Sequence, residues 1–365
     1  MQKTIIFGKK EATWFVINMI CAKLPLNAIR VLEDSVGSAG WILSIYLVVL
    51  AVMGFFIVLK LFKRFPGKDI IDIGAEIGGG FGRIATGSIF IFSQLVVLLL
   101  YFRGFVEHAK VVSLTQSPVS FIMILFILCM ITASSFGLEP LIRLHYVATP
   151  IIGTLLIIIL LLTLPQCEFS NLFPLFGLGA DKIFISGALK LSIFQELIFL
   201  FLLPPFLASF NKFKSVGYKA IAFSGFFYTI FAFIFGMLFQ YPALIETVFP
   251  IFNTTRIVYY GRLFQRLESL FFILWTMGAV FFLSSSMYFI IYTFTKTFKL
   301  PYIKPLIIPF AVLIFNLTLL PTSLLETSKI VTDYYYNYSW IPTFILPIIL
   351  LIICIIFRKG GEQNA

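Results

Sequence analysis

Three ionisable side chains, Lys23, Lys190 and Glu196, fall inside apolar stretches of the chain. A charge at the centre of a bilayer costs about 2.5–3.5 kcal/mol on insertion scales, so each of them needs a partner, a water-filled cavity or an altered proton affinity. Two readings follow. Either these groups hold a proton, an ion or a ligand headgroup, or the lysines snorkel to the interface and the acid only ties helices together. Lys190 and Glu196 are six residues apart, about 240° round a regular helix, so they face each other only where the helix unwinds between them. Pro25 removes a backbone donor and disfavours helical geometry at Leu24. That frees carbonyls near positions 20–22 to coordinate a ligand or cation if they line a cavity; the other reading is an ordinary proline kink.

Neutral polar groups add to this set. Ser284 and Tyr288 lie one turn apart with Ser285 and Ser286 beside them, a pattern that suits either an amino-acid headgroup or close helix approach. Gln94, Leu98 and Tyr101 recur at near-helical spacing, with Gln94 the one amide in its apolar stretch. The pairs Arg103 with Glu107, Glu139 with Arg143, and Arg266 with Glu268 read as structural clamps near water, where ion pairs cost little. The run Tyr334, Tyr335, Tyr336, Tyr338 and Trp340 reads as an interfacial aromatic belt. Four cysteines show no metal-ligand or disulfide spacing, and two histidines, His108 and His145, near the ends of their apolar runs, have no nucleophile beside them. Neither enzymatic turnover, nor a metal, nor a cofactor is expected.

The elements that position these residues follow from composition. The 365 residues are 60% hydrophobic and 12% charged, with a mean hydropathy of +1.03; ordinary soluble domains carry about 25% charge, so a soluble enzyme is excluded. Ten apolar segments are of spanning length, near 12–33, 40–59, 84–108, 118–136, 147–164, 184–208, 219–240, 268–295, 303–321 and 339–357. Lys3, Lys9 and Lys10 before the first of them imitate a signal peptide, but Lys23 interrupts the run and no cleavage site follows, so it is read as a retained span. The net charge of +11 marks cytoplasmic loops rather than a nucleic-acid partner: Lys and Arg concentrate on the N-terminal side, placing both termini in the cytoplasm.

Segments one and six are the irregular ones, the first with Lys23 and Pro25, the sixth with Lys190, Gln195, Glu196 and the pair Pro204 and Pro205. Ten spans then divide into five and five, with repeats at about 8–165 and 180–358. An odd number per half forces the second to insert upside down, the inverted arrangement of many secondary transporters, whose ligands bind at interrupted helices.

Phe249, Pro250, Ile251 and Phe252, then Arg256, then the run from Gly261 through Arg262, Leu263, Phe264, Gln265, Arg266, Leu267, Glu268 and Ser269 to Leu270, leading to Trp275, resemble the loop and eighth helix of the spore germination permeases. Further matches are Arg103 with Glu107, Gly137 to Glu139 with Arg143, Asn171 to Pro174, and Pro204, so the resemblance spans essentially the whole chain. That family is similar to the amino acid, polyamine and organocation transporters. The resemblance implies an all-α integral membrane fold of five plus five inverted helices, LeuT-like, with helices one and six discontinuous. It implies the B subunit of a nutrient germinant receptor, working with A and C subunits in the spore inner membrane and binding a small nutrient. Carried onto this sequence, the family's ligand site points to Cys21, Ala22, Gln94, Leu98, Ile193, Glu196, Ser284 and Tyr288, with Lys23, Lys190 and Glu196 as proton or ion coupling candidates. One departure stands out: related transporters have a small, glycine-containing break in helix one, where this chain has Cys21, Ala22 and Lys23. An amino-acid receptor is the leading expectation, a proton- or cation-coupled amino-acid transporter the second, and an ion or water channel the third.

Overall fold

Long apolar runs can meet their own backbone hydrogen-bonding needs in lipid only as helices, and helices dominate the computed structural model, which describes residues 7–246, 250–257, 259, 260, 264, 265 and 267–359. Among these, six helical stretches are long and apolar enough to cross a membrane: Lys9–Arg64, Ile70–Val112, Leu138–Gln166, Phe210–Leu238, Glu268–Phe298 and Leu324–Ile356. The apolar helices Val119–Ser135 and Lys304–Thr318 are shorter.

In chain order the helices are α1 (Lys9–Cys21), α2 (Ile29–Val36), α3 (Gly40–Arg64), α4 (Ile70–Val112), α5 (Val119–Ser135), α6 (Leu138–Leu162), α7 (Leu197–Leu200), α8 (Phe210–Leu238), α9 (Ala243–Glu246), α10 (Pro250–Ile257), α11 (Glu268–Phe298), α12 (Ile307–Thr318), α13 (Leu324–Ile330), α14 (Tyr336–Tyr338) and α15 (Leu346–Ile356). A two-residue ladder pairs Tyr259 with Gln265 and Tyr260 with Phe264. Phe249, Gly261 to Leu263 and Arg266 lie outside the described residues, and with them the expected pairing of Arg266 with Glu268.

Local chemistry explains several boundaries. Asp69 caps α4, its Oδ1 accepting from the N–H groups of Ile71 and Asp72 at 3.0 Å each. α4 bends sharply at Gly79, whose φ of +61 is open to glycine at little cost. Ser323 caps α13 by accepting from the Glu326 N–H at 3.2 Å, while the Glu326 carboxylate accepts from the Thr322 N–H and hydroxyl. α3 packs on α8, where Gly217 lets the Phe55 ring lie against the backbone. Exposed Val49, Met53 and Phe56 on α3, and Ile352, Ile355 and Ile356 on α15, form an apolar outer surface suited to lipid.

Two segments depart from regular helix. Between α1 and α2 the chain widens into a π-turn at Leu24–Ala28, where Pro25 cannot donate to the preceding turn. Between residues 182 and 206 it forms short turns, Lys182–Ser186, Gly187–Phe194, α7 and Pro204–Phe206, none of spanning length. These are the two interruptions expected from the sequence. The first takes the form of a widened bend and not an extended break, since Ala22 and Lys23 keep helical dihedrals.

The described residues nearest the two termini tie to one face of the fold, the terminal face. The Phe7 N–H donates to the Phe206 carbonyl at 2.9 Å, the Ile70 N–H to the Phe201 carbonyl at 3.2 Å, and the Lys359 ammonium to the Ile77 carbonyl at 2.7 Å. The final stretch is itself irregular, widening at Val331–Tyr335 and at Ile341–Ile345 around Pro342.

Candidate functional site

The two interrupted segments meet at Lys23 and Glu196, which form a direct ion pair with no solvent exposure on either side chain. Lys23 Nζ also donates to the Ser192 carbonyl and to the Tyr335 hydroxyl, each at 3.2 Å. The Tyr335 hydroxyl donates a hydrogen bond to Glu196 Oε1 at 2.9 Å; the Gln195 amide oxygen, at 3.5 Å, is at the limit of a hydrogen bond. All three ammonium donors are thus used, and both carboxylate oxygens are engaged. Lys23 Nζ also lies 5.5 Å from the Tyr335 ring centroid, within cation–π reach.

The main chain around the pair is tied down in the same way. The Ile20 carbonyl, one of those expected to be freed by Pro25, accepts from the Tyr228 hydroxyl at 3.0 Å. Ser192 accepts through Oγ from the Trp340 N–H at 3.0 Å, and the Gln195 carbonyl accepts from Thr343 at 2.9 Å. The Gln195 amide reaches the Ser93 hydroxyl at 3.2 Å on α4. Every buried acceptor named here has a donor, which is the condition for burying such a network at all.

The expected site residues divide into three groups. Cys21 and Ala22 border a narrow apolar cleft with Asn18, Thr149, Trp275 and Gly278; Asn18 Nδ2, Thr149 Oγ1 and Trp275 Nε1 have no hydrogen-bond partner among the described residues. Gln94 and Ser284 are fully buried, and the Gln94 amide atoms and the Ser284 hydroxyl are likewise unpartnered. Leu98 and Ile193 are buried apolar neighbours. Tyr288 belongs elsewhere: with Tyr292 and Lys296 it lines a separate cavity of about 890 Å³ towards the terminal face. Lys190 bonds to Asn337 at 2.7 Å rather than to Glu196.

Three sequence-based readings are corrected. Tyr335 and Tyr336 are buried at the pair and not in an interfacial belt. Arg103 and Glu107 do pair, at 2.7 Å, but are nearly buried, unlike Glu139 and Arg143, which pair at 2.6 Å in the open. His145 is fully buried, its Nε2 2.8 Å from Ser285 Oγ. Sequence reasoning singled out Tyr101, missed Tyr228, and set Tyr335 and Tyr336 at the interface. Tyr335 and Tyr336 lie in a polar stretch with Asp333 and Asn337, which gave no sign of burial.

A cavity of about 360 Å³ opens on the face opposite the termini, lined by Asn27, Arg30, Tyr101, His108, Glu246 and Ser328 among others. Of its lining residues, Tyr101 connects to the pair. The Tyr101 hydroxyl donates to that of Tyr336 at 3.3 Å, and the Tyr101 and Tyr335 rings meet edge to face at 5.3 Å. On the terminal face, Lys296 bridges Asp69 and Asp72, and Asp69 also accepts from the Tyr292 hydroxyl at 2.9 Å.

Solved structures share this architecture. Mhp1, a nucleobase-cation-symport-1 family transporter in a closed conformation with bromovinylhydantoin bound, is similar with a TM-score of 0.62 at 12% identity, over 92% of this chain and 77% of that one. MhsT in complex with L-phenylalanine is similar with a TM-score of 0.59 at 14% identity, over 97% of this chain and 99% of that one. Both likenesses show an all-helical, LeuT-like membrane fold. No curated protein sequence matches the chain. The sequence model of the spore germination proteins covers residues 8–329, and with nearly the whole length matched, the chain belongs to the spore germination protein family.

Proposed function

We propose that the chain is the membrane subunit of a nutrient germinant receptor, in which a small nutrient, an amino acid in the leading reading, binds beside the two interrupted segments and favours one conformation over another. The observation that carries this reading is the 360 Å³ cavity lined by Tyr101, whose ring packs on Tyr335, the residue that bonds both members of the Lys23–Glu196 pair. A solute entering there approaches the joint between the segments, beside which Gln94, next to the Ser93 that bonds Gln195, keeps unmet polar capacity that can receive it. MhsT and Mhp1 each hold a small molecule in this fold, which supports the class of ligand and not its identity. A signal requires unequal affinity for two states, since a ligand that binds both equally shifts nothing.

In this reading the first stretch crosses twice; with the two shorter apolar helices and segment 182–206, that makes ten spans in inverted halves of about 8–165 and 180–358. Both termini lie in the cytoplasm of the spore inner membrane, and A and C subunits receive the signal. Spores lacking the chain, tested against a panel of amino acids, sugars and nucleosides, lose the response to one nutrient class. Glu196→Gln and Ser284→Ala shift the dose response of intact spores while the protein accumulates. Normal responses to every nutrient would remove the receptor reading.

The buried acid–base pair favours a second reading, proton-coupled amino-acid transport. Saturable, proton-dependent uptake of labelled amino acid by the isolated chain in proteoliposomes would select it over a receptor.

A further inference from the structure

In this fold, interrupted helices present main-chain carbonyls, and with acidic side chains these form oxygen-rich places for a cation. Here the place is filled from within. The Ser192 carbonyl, the Glu196 carboxylate and the Tyr335 hydroxyl converge on one positive group, and that group is the ammonium of Lys23. On the other segment the Ile20 carbonyl accepts from the Tyr228 hydroxyl. Lys23 has no exposure, so it does not snorkel to water, and it spans 173 positions of sequence to reach its acid.

We propose that Lys23 is the resident cation of this site: its tethered ammonium occupies the position where an exchangeable cation, a metal ion or the amine of a ligand, would otherwise be coordinated, and the chain therefore works without a coupling ion. The inference rests on the reading above only in taking the joint of the two segments as the functional centre. It also narrows recognition. The acceptors at the joint are spent on Lys23, so a nutrient is recognised through neighbouring groups with unmet capacity, Gln94 foremost.

The test uses the purified full-length chain in lipid nanodiscs, with no nutrient added. Lys23→Ala deletes the equivalent of a propylammonium ion and leaves Glu196 facing the void. Propylammonium chloride should raise the melting temperature of this variant saturably, by about 2 °C or more, while 1-propanol and the wild-type chain show no such rise. A variant equally indifferent to amine and alcohol would overturn the proposal. The wild-type chain supplies a second arm should Lys23→Ala fail to accumulate. Replacing sodium and potassium by N-methylglucamine leaves its melting temperature unchanged if the cation is built in; a saturable sodium- or potassium-dependent rise contradicts it. Because no nutrient enters either arm, failure here leaves the receptor reading standing, and loss of nutrient response in spores leaves this one standing.

Discussion

Two lysine–carboxylate junctions hold this molecule together across long sequence distances, and they are built differently. At the centre, Lys23 and Glu196 are dry, and every donor of the ammonium is committed to a partner in another segment. On the terminal face, Lys296 bridges Asp69 and Asp72 with 23% of its side chain exposed, while Asp72 is 38% exposed. At the second junction water can replace a lost partner of Lys296 or Asp72, while Asp69 is fully buried and is also held by the Ile71 and Asp72 N–H groups and the Tyr292 hydroxyl. At the first, only another part of the protein can replace any partner. The central pair thus behaves as a buried charge network, whose members stand or fall together, and the terminal clamp as a half-open one, in which the buried acid has donors besides the lysine.

The sharpest way to break that contrast is to remove one charge from each junction. Glu196→Gln leaves the Lys23 ammonium buried beside a neutral amide, a change that costs about 3–5 kcal/mol when one partner of a dry pair is lost. Accumulation in membranes and the melting temperature of the purified chain should both fall. The double variant Lys23→Met with Glu196→Leu should recover much of that stability, since packed apolar groups replace buried ion pairs with little penalty, yet the nutrient response should stay lost. Equal instability of single and double variants would show that the charges themselves, and not their balance, hold the segments together.

Tyr335→Phe probes the same network more gently. It takes one acceptor from Lys23 and one donor from Glu196 without opening a void, so a loss of about 1–3 kcal/mol is expected. The dose response should shift in the same direction as for Glu196→Gln. Lys296→Met, by contrast, opens a clamp in which Asp72 can turn to solvent and buried Asp69 keeps three hydrogen-bond donors, so the expected loss is about 1–2 kcal/mol, below that for Glu196→Gln. A cost for Lys296→Met as large as that for Glu196→Gln would erase the distinction between the junctions.

How much of this was legible in the sequence follows the same physical divide. Lys23, Lys190 and Glu196 declared themselves because a charge in an apolar run is costly in any tertiary context. Their pairing did not. The sequence set Lys190 and Glu196 six residues apart, facing only where the helix unwinds, and named no partner for Lys23, whereas packing delivers Lys23 to Glu196 and Lys190 to Asn337. Pro25 signalled the widened turn at Leu24–Ala28 through its missing donor. The turn at Val331–Tyr335, which carries Tyr335 inward, has no proline and left no mark. Tyrosine is equally at home at a membrane surface or in a buried hydrogen-bond network, so its type alone could not separate the two. The cap at Asp69 and the kink at Gly79 are local, and local chemistry explains them; the partners of Asp69 on α11 are not local.

The smallest expected effect separates burial from mere pairing. Arg103 with Glu107 and Arg143 with Glu139 are both arginine–glutamate pairs four residues apart, with nearly equal separations of 2.7 and 2.6 Å. Distance therefore assigns them the same strength. Exposure does not: the first pair is 6% and 10% exposed, the second 66% and 43%. Arg143→Ala should change the melting temperature very little, corresponding to about 0.5 kcal/mol or less, because an open helical pair competes with water and salt. Arg103→Met should cost several times more, because Glu107 then keeps its charge in an apolar setting with no counterion. Matching shifts from the two variants would mean that the protein around Arg103 solvates as well as water does, and the contrast drawn between the dry and the wet junctions would lose its physical basis.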